Sequence, residues 1–274
     1  LSLHAEVSSL IMGINFRDHR HVRKDIDVSK MLYESVDVFR YLLAILNVWN
    51  ISADSFCQAF NDKDLFLRTR YNLGLEKWSG QPVLIVDLDD VLIKFRDGFV
   101  GWLENTHGLD IDKDSTEYYT TREVKAAGLN PEAVFSEFIE NRMIKELAPI
   151  QEMIDAINTL HDEGFWIQLL TARPEENLTC FYDTFNWLSE SGLKFNRIDF
   201  SPEKYRWLTK SEYFGSGKIL CAIDDSPKHV AEYTKHGVKV LMPEEAYNLE
   251  ARTLEGVTTY TDPTDVPSII KSHM

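Results

Sequence analysis

The sequence has 274 residues, of which 44% are hydrophobic and 27% charged, a composition typical of globular proteins with room for two domains. Its net charge is −15 at pH 7, and residues 1–80 contain ten basic and ten acidic side chains, so the whole excess lies in residues 81–274 and disfavours binding to long nucleic acid. No apolar run approaches the length of a membrane-spanning helix, and three scattered cysteines, interpreted as reduced thiols, favour a cytoplasmic protein without a membrane partner.

The first 71 residues have the periodicity of helices and contain no convincing strand. An amphipathic helix is predicted from about Ser29 to Asn47, and Ser52, Asp54 or Ser55 could cap the next helix. Residues 72–82 contain two glycines and a proline, which is typical of a linker. We therefore predict an all-α domain over residues 1–78 and a second domain over residues 79–274.

The second domain alternates short apolar runs with helical stretches. The runs at 82–87, 165–171, 218–224 and 238–242 are typical of parallel strands covered on both faces, and residues 197–200 are strand-like. Helical patterns at 150–163, 178–191 and 227–236 separate them, so the order predicts an α/β fold with a parallel sheet. Residues 95–149 are helical, rich in aromatic side chains and too long for a simple crossover, which predicts an inserted cap.

Three predicted strands end in polar residues suited to phosphoryl transfer. Asp87 and Asp89 follow the first strand, Thr171 ends the second, and Asp224 and Asp225 follow a third. Ligand sites of open α/β sheets lie beyond the carboxyl ends of the strands, so these side chains should converge. One carboxylate can attack phosphorus, a second can move protons, and Mg²⁺ can offset the repulsion among the carboxylates. A hydroxyl and a lysine would hold the remaining phosphate oxygens.

In their order and spacing, these strand ends resemble the four motifs of haloacid-dehalogenase-type phosphatases, over about residues 80–245. The resemblance implies a Rossmann-like parallel sheet with a small helical cap. It also implies that Asp87 is the nucleophile and a Mg²⁺ ligand, and that Asp89 is the acid/base whose carbonyl contacts the metal. Thr171 would bind the phosphoryl group, and Asp224 and Asp225 would complete the metal site, with the direct ligand of the two left open.

The resemblance also calls for a lysine before the last acidic pair, and three lysines are candidates. Lys204 follows the strand-like residues 197–200 and lies 20 residues before Asp224, which suits the family. Lys210 and Lys218 are its rivals. We predict that Lys204 is the catalytic lysine.

Within this family, four stretches are similar to the 5′-nucleotidase and deoxyribonucleotidase branch: residues 87–95, 171–174, 203–207 and 223–227. That branch has a small helical cap after its first motif, which the insertion at 95–149 matches. The resemblance implies that Phe95 and Arg173 bind substrate. For Phe95, packing in the core or against the cap is the alternative.

The helical domain has a subtler pattern. Glu34 and Asp37 lie on one helix face, Glu6 lies on an earlier helix, and Lys63 and Arg70 supply cations further along. This order resembles the all-α nucleotide pyrophosphohydrolases of the MazG and dimeric dUTPase kind. It implies a second metal site and a homo-oligomer formed through these helices.

Two positions depart from the pyrophosphohydrolase pattern. Ser9 stands where a glutamate is expected, and Leu67 where an asparagine is expected. A site with fewer carboxylates should bind Mg²⁺ more weakly. A degenerate module that forms dimers is therefore the favoured interpretation of residues 1–78.

Together, these patterns predict a Mg²⁺-dependent phosphomonoester hydrolase that uses an aspartyl-phosphate. Its favoured substrate is a small phosphorylated compound, a nucleoside monophosphate, and it is fused to a pyrophosphohydrolase-like domain. Two alternatives remain. One is a 3′-phosphatase of nucleic-acid ends, which the negative charge disfavours. The other is a nucleotide-binding or dimerisation protein with a regulatory role, which the complete phosphatase motifs disfavour for the whole chain.

Overall fold

A computed structural model describes residues 7, 28–73, 78–112 and 120–272. The chain divides into two compact units, Leu1–Asn61 and Asp62–Met274. The division falls inside a helix, and the domain boundary at residue 78 stays a prediction. Among the described residues, no helix has both the length and the apolar character needed to cross a membrane.

The first unit contains the helices expected from the sequence. Helix α1 (Val28–Val48) matches the amphipathic stretch, and α2 (Ala53–Leu73) begins in this unit and ends in the second. The Ser52 hydroxyl accepts a hydrogen bond from the Ser55 amide at 3.1 Å, which makes Ser52 the cap of α2 among the three candidates. The predicted earlier helix and its polar connector lie outside the described residues, apart from Val7.

Among the described residues of the second unit, six parallel strands form one sheet in the order β3-β2-β1-β4-β5-β6. These strands are β1 (Val83–Val86), β2 (Trp166–Thr171), β3 (Arg197–Phe200), β4 (Ile219–Ile223), β5 (Val240–Pro243) and β6 (Val257–Tyr260). The predicted α/β class is confirmed. Sequence reasoning missed β6, because its four residues, Val-Thr-Thr-Tyr, are half polar and form an edge strand covered by few neighbours.

Helices cover both faces of the sheet, as parallel strands require. They are α6 (Gln151–Asp162), α7 (Leu178–Glu190), α8 (Lys204–Lys210), α9 (Pro227–Lys235) and α10 (Val266–Ser272). Alternation along β1 sends Leu84 and Val86 into one apolar core and Val83 and Ile85 into the other. All four side chains are buried, which explains why the strand reads as an uninterrupted apolar run.

In the part that the structure describes, the insertion between β1 and β2 forms three helices: α3 (Phe95–His107), α4 (Thr121–Ala126) and α5 (Pro131–Glu140). A short 3₁₀ turn, Met143–Glu146, leads back to the sheet. The two connections to the sheet are paired, because the Lys94 amide donates to Ala148 and the Ile150 amide to Leu92, at 2.9 and 2.8 Å. A helical cap is therefore attached beside the end of β1.

Candidate active site

The predicted polar residues meet at the carboxyl edge of the sheet. β1 and β4 are neighbours, and the Asp87 amide donates to the carbonyl of Ile223 at 2.9 Å. This bond extends the pairing by one residue and places Asp87 beside Asp224. Thr171 ends β2, on the other side of β1, and its side chain is fully buried.

A buried lysine joins two of the carboxylates. Lys204 begins α8, is 1% exposed, and its Nζ donates to Oδ2 of Asp87 at 2.7 Å and to Oδ2 of Asp224 at 2.8 Å. Lys210 and Lys218 are exposed. The geometry therefore separates the three candidate lysines and places Lys204 in the cluster.

Burial and charge act in opposite directions on these groups. Burial raises the pKa of Asp87 to about 6, although Lys204 opposes the rise. Burial also raises the pKa of Asp224, but Lys204 and His229 outweigh it and lower that pKa to about 2. Burial lowers the pKa of Lys204, and the two carboxylates outweigh it and raise that pKa above its ordinary value. The lysine is thus held as an ammonium ion.

The two carboxylate oxygens of Asp225 have different surroundings. Its Oδ2 accepts a hydrogen bond from the Tyr247 hydroxyl at 2.8 Å. Its Oδ1 is buried and has no hydrogen-bond partner within the part of the chain that the structure describes. Burial, and then the charges of Asp90 and Asp224, raise its pKa well above the ordinary value. Such an atom is costly to bury unless something binds it.

The turn after β1 places a further carboxylate, that of Asp90, in the site. Asp90 has a left-handed backbone with φ 53°, and its Oδ1 accepts a hydrogen bond from the Arg96 amide at 2.9 Å. Burial and the nearby Asp89 raise its pKa to about 7, while the Arg96 amide opposes the rise. A left-handed conformation is several-fold enriched in aspartate among residues other than glycine, which explains its tolerance here.

A divalent cation fits this donor set. Five carboxyl groups (Asp87, Asp89, Asp90, Asp224 and Asp225) share the edge with two buried cations, Lys204 and Arg173. Burial and mutual repulsion raise the pKa of three of them. Carboxylate and carbonyl oxygens are the donors that Mg²⁺ prefers, so a hard cation would relieve both the repulsion and the unpaired Oδ1 of Asp225.

Two places within the site could hold this cation. Ligand atoms of Asp87, Asp224 and His229 lie within 4.8 Å of one another. The Lys204 ammonium already bridges the first two, and Nδ1 of His229 is 3.7 Å from Asp224. The second place is beside Asp225, whose Oδ1 has no hydrogen-bond partner among the described residues.

Arg173 contacts Asp89. Its Nε donates to Oδ2 at 3.0 Å and its Nη2 to Oδ1 at 2.5 Å. Burial lowers the pKa of Arg173, but Asp89 outweighs it and raises that pKa. The amide of Arg173 donates to the Thr171 hydroxyl oxygen at 3.2 Å. Arg173 thus links the segment that follows β1 to the end of β2.

Phe95 lies half-buried at the start of the cap. Its ring centroid is 5.8 Å from that of Phe99 and 6.0 Å from that of Phe138. Phe95 is thus part of the aromatic cluster in the cap. Packing against the cap was the alternative to substrate binding for this residue.

Residues of the predicted second site are only partly described. Glu34 and Asp37 are half-buried on α1, and Asp37 pairs with Arg40 at 3.9 Å. Lys63 is exposed, and its Nζ lies 4.9 Å from the centroid of the Phe66 ring. Glu6 and the side chain of Arg70 lie outside the described residues.

Sequence reasoning did not identify Tyr247, Thr184 or His229. Tyr247 lies in a 3₁₀ turn (Ala246–Asn248) that follows β5, and β5 is the neighbour of β4. The rule that ligand sites follow strand ends could have pointed to that turn. Thr184 and His229 lie inside helices, where no local pattern marks them.

No model of a known protein family matches the sequence, and no curated protein matches it. Similar solved structures include proteins described as haloacid dehalogenase-like hydrolases and as β-phosphoglucomutases. A phosphonoacetaldehyde hydrolase-like protein from Oleispira antarctica has a TM-score of 0.50 and 11% identity, over 72% of this chain and 95% of that one.

Two further structures are less similar. A haloacid dehalogenase-like hydrolase from Xanthomonas campestris has a TM-score of 0.46 and 14% identity, over 72% of this chain and 97% of that one. A D,D-heptose 1,7-bisphosphate phosphatase from B. bronchiseptica, complexed with magnesium and phosphate, has a TM-score of 0.42 and 12% identity, over 71% and 100%. At 11% identity, the likeness to the phosphonoacetaldehyde hydrolase-like protein shows the fold alone.

Proposed function

We propose that residues 79–274 form a Mg²⁺-dependent phosphomonoester hydrolase that forms an aspartyl-phosphate on Asp87. The observation that carries this proposal is the buried Lys204, which bridges Asp87 and Asp224 at the ends of neighbouring strands. A buried ammonium between two carboxylates, in a cluster where Oδ1 of Asp225 has no hydrogen-bond partner among the described residues, is suited to an incoming dianion and its cation.

The proposed reaction has two steps. Asp87 attacks phosphorus, the bond between phosphorus and the leaving oxygen breaks, and Asp89 gives a proton to that oxygen. Asp89 then takes a proton from water, the water oxygen attacks phosphorus, and the bond to Asp87 breaks to release phosphate. Lys204 and Thr171 hold the phosphoryl oxygens in both steps. A cation held by Asp87, Asp225 and the Asp89 carbonyl would neutralise phosphate charge.

For the substrate, we propose a nucleoside monophosphate. The support is the similarity of four sequence stretches to the nucleotidase branch, together with a helical cap placed after β1. The −15 charge disfavours a nucleic-acid end as the substrate, since long polyanions would be repelled. A purely regulatory nucleotide-binding role would not need the carboxylate pair joined by Lys204. We place the enzyme in the cytoplasm.

For residues 1–78 we propose a degenerate pyrophosphohydrolase-like module that forms a homo-oligomer. Large apolar side chains are exposed along α1, among them Leu32 (61%), Phe39 (53%) and Leu43 (48%). Exposed apolar clusters of this kind are typical of association surfaces. Replacing Phe39 and Leu43 with Glu should lower the mass measured by light scattering, and an unchanged mass would contradict the proposal.

The function is tested by phosphate release from ribo- and deoxynucleoside mono- and triphosphates, with Mg²⁺ and with EDTA. The wild type should hydrolyse monophosphates only with Mg²⁺, and Asp87→Asn should lose this activity while remaining folded. An active Asp87→Asn variant would contradict the mechanism. Hydrolysis of 4-nitrophenyl phosphate without any nucleotide turnover would contradict the substrate alone. Pyrophosphate release that survives in the variant would reveal activity in the helical module.

A further inference from the structure

The carboxylate of Asp89 is held at both oxygens by one guanidinium group. The two bonds from Arg173 are 3.0 and 2.5 Å long, and the Arg173 side chain is 3% exposed while that of Asp89 is 24% exposed. A bidentate pair fixes the plane of a carboxylate as well as its distance. The two bonds from Arg173 therefore hold the carboxylate of Asp89 in one orientation.

Arg173 is itself anchored to α7. Its Nη1 donates to the Thr184 hydroxyl at 2.9 Å, and that hydroxyl donates to the carbonyl of Cys180 at 2.8 Å. Thr184 is fully buried. The third nitrogen of the guanidinium group, Nη1, is thus bound to a residue of α7.

We propose that Arg173 is a positioning residue that acts through Asp89, and that Thr184 sets the position of Arg173. The proposal rests on the proposed phosphatase mechanism, in which Asp89 serves both steps. Misplacement of a reacting group by about 1 Å can cost about 10²-fold in rate. A direct role of Arg173 in substrate binding makes a different prediction, since it would not depend on Asp89.

A double-mutant cycle separates the two roles. Arg173→Lys, Asp89→Asn and the double variant are assayed with Mg²⁺ on 4-nitrophenyl phosphate, whose leaving group needs little protonation, and on ethyl phosphate, whose leaving group needs more. Arg173→Lys should lower kcat by about 10- to 100-fold at a KM within about twofold of the wild type. The loss should be greater with ethyl phosphate, and the double variant should match Asp89→Asn.

Two results would overturn the proposal. One is an increase in KM with kcat unchanged, and the other is a loss of the same size in the Asp89→Asn background. Either would place Arg173 on the substrate. The failure of the phosphatase mechanism looks different, because the wild type would then be inactive or Asp87→Asn would stay active.

A second, milder variant tests the proposal even if Arg173→Lys does not fold. Thr184→Val keeps the shape of the side chain and removes the hydroxyl. It should lower kcat about 3- to 10-fold at unchanged KM, and have no further effect in the Asp89→Asn background. Thr179→Val, in the first turn of the same helix, is the matched control and should retain wild-type kcat. A Thr184→Val enzyme with wild-type kcat on both substrates would overturn the part assigned to Thr184.

Discussion

The ammonium nitrogen of Lys204 lies 2.7 Å from the Oδ2 atom of Asp87, and both side chains are buried at the carboxyl edge of the sheet. The two residues are far apart in sequence and reach this contact from different elements, the turn after β1 and the start of α8. Lys204 opposes the rise in the pKa of Asp87 that burial causes, so the pairing favours the ionised carboxylate and holds the ammonium group beside it. The proposed attack on phosphorus and the binding of its oxygens thus share one site.

Lys204→Met should lower kcat by about 10²- to 10³-fold, because it removes a buried cation that would stabilise the charge of the transferring phosphoryl group. Lys210→Met and Lys218→Met are matched controls on exposed lysines and should keep wild-type rates. Steady-state phosphate release measures all three variants. Equal losses in Lys204→Met and Lys218→Met would refute the assignment of Lys204.

Asp225→Asn should weaken divalent-cation binding by at least about 10-fold, since it replaces the anionic group whose Oδ1 is buried and unpaired within the described chain. Tyr247→Phe, which removes the bond to the other oxygen, should weaken it less, by an amount typical of outer-shell partners. Isothermal titration calorimetry, or electron paramagnetic resonance with Mn²⁺, measures the affinity for the cation in the absence of substrate. Tight cation binding by Asp225→Asn would contradict this assignment and would favour Asp224 and His229 as the metal ligands.

Asp90→Asn should stabilise the metal-free protein at high pH. Folded Asp90 holds its proton up to about pH 7, whereas the unfolded chain releases it near the ordinary value of 3.8. The free energy of unfolding of the wild type is therefore highest below the unfolded pKa and falls as the pH rises through the folded pKa. Asparagine cannot ionise, adopts left-handed backbone readily, and can accept the same bond from the Arg96 amide.

Denaturant unfolding in EDTA checks this at two pH values. At pH 8, Asp90→Asn should be more stable than the wild type by at least about 1 kcal/mol, since one pKa unit corresponds to about 1.4 kcal/mol. At pH 4 the difference should shrink towards zero. An equal gain at both pH values would show that ionisation is not its cause.

Arg142→Met should lower the free energy of unfolding by about 3 kcal/mol. The Arg142 guanidinium group pairs with Asp183 at 2.6 Å and with Asp62 at 3.2 Å, and Asp183 is fully buried. Removing the cation leaves a buried charge without compensation, which costs about 3–5 kcal/mol in comparable pairs. The exposed Arg122, which pairs with its neighbour Glu123, is the control, and Arg122→Met should stay within about 0.5 kcal/mol of the wild type. Similar small losses in both variants would contradict this.

The local sequence pattern was sufficient to predict those strands whose side chains are buried on both faces. The apolar runs of β1, β2 and β4 predicted parallel strands because both of their faces are covered, and their polar ends predicted one shared edge. The edge strand β6 escaped, since an exposed strand needs no continuous apolar run. Thr184 escaped because its contact with Arg173 depends on how α7 packs against the end of β2.

The parallel sheet, the inserted cap and the acidic strand ends could be predicted from the sequence, because periodicity and residue type act over a few neighbouring residues. Three features required the folded structure: which lysine enters the cluster, which oxygen of Asp225 has no partner among the described residues, and the contact of Arg173 with Asp89. These are distances between residues 20 to 117 positions apart in the chain. Packing of whole elements sets such distances, and no local pattern records them.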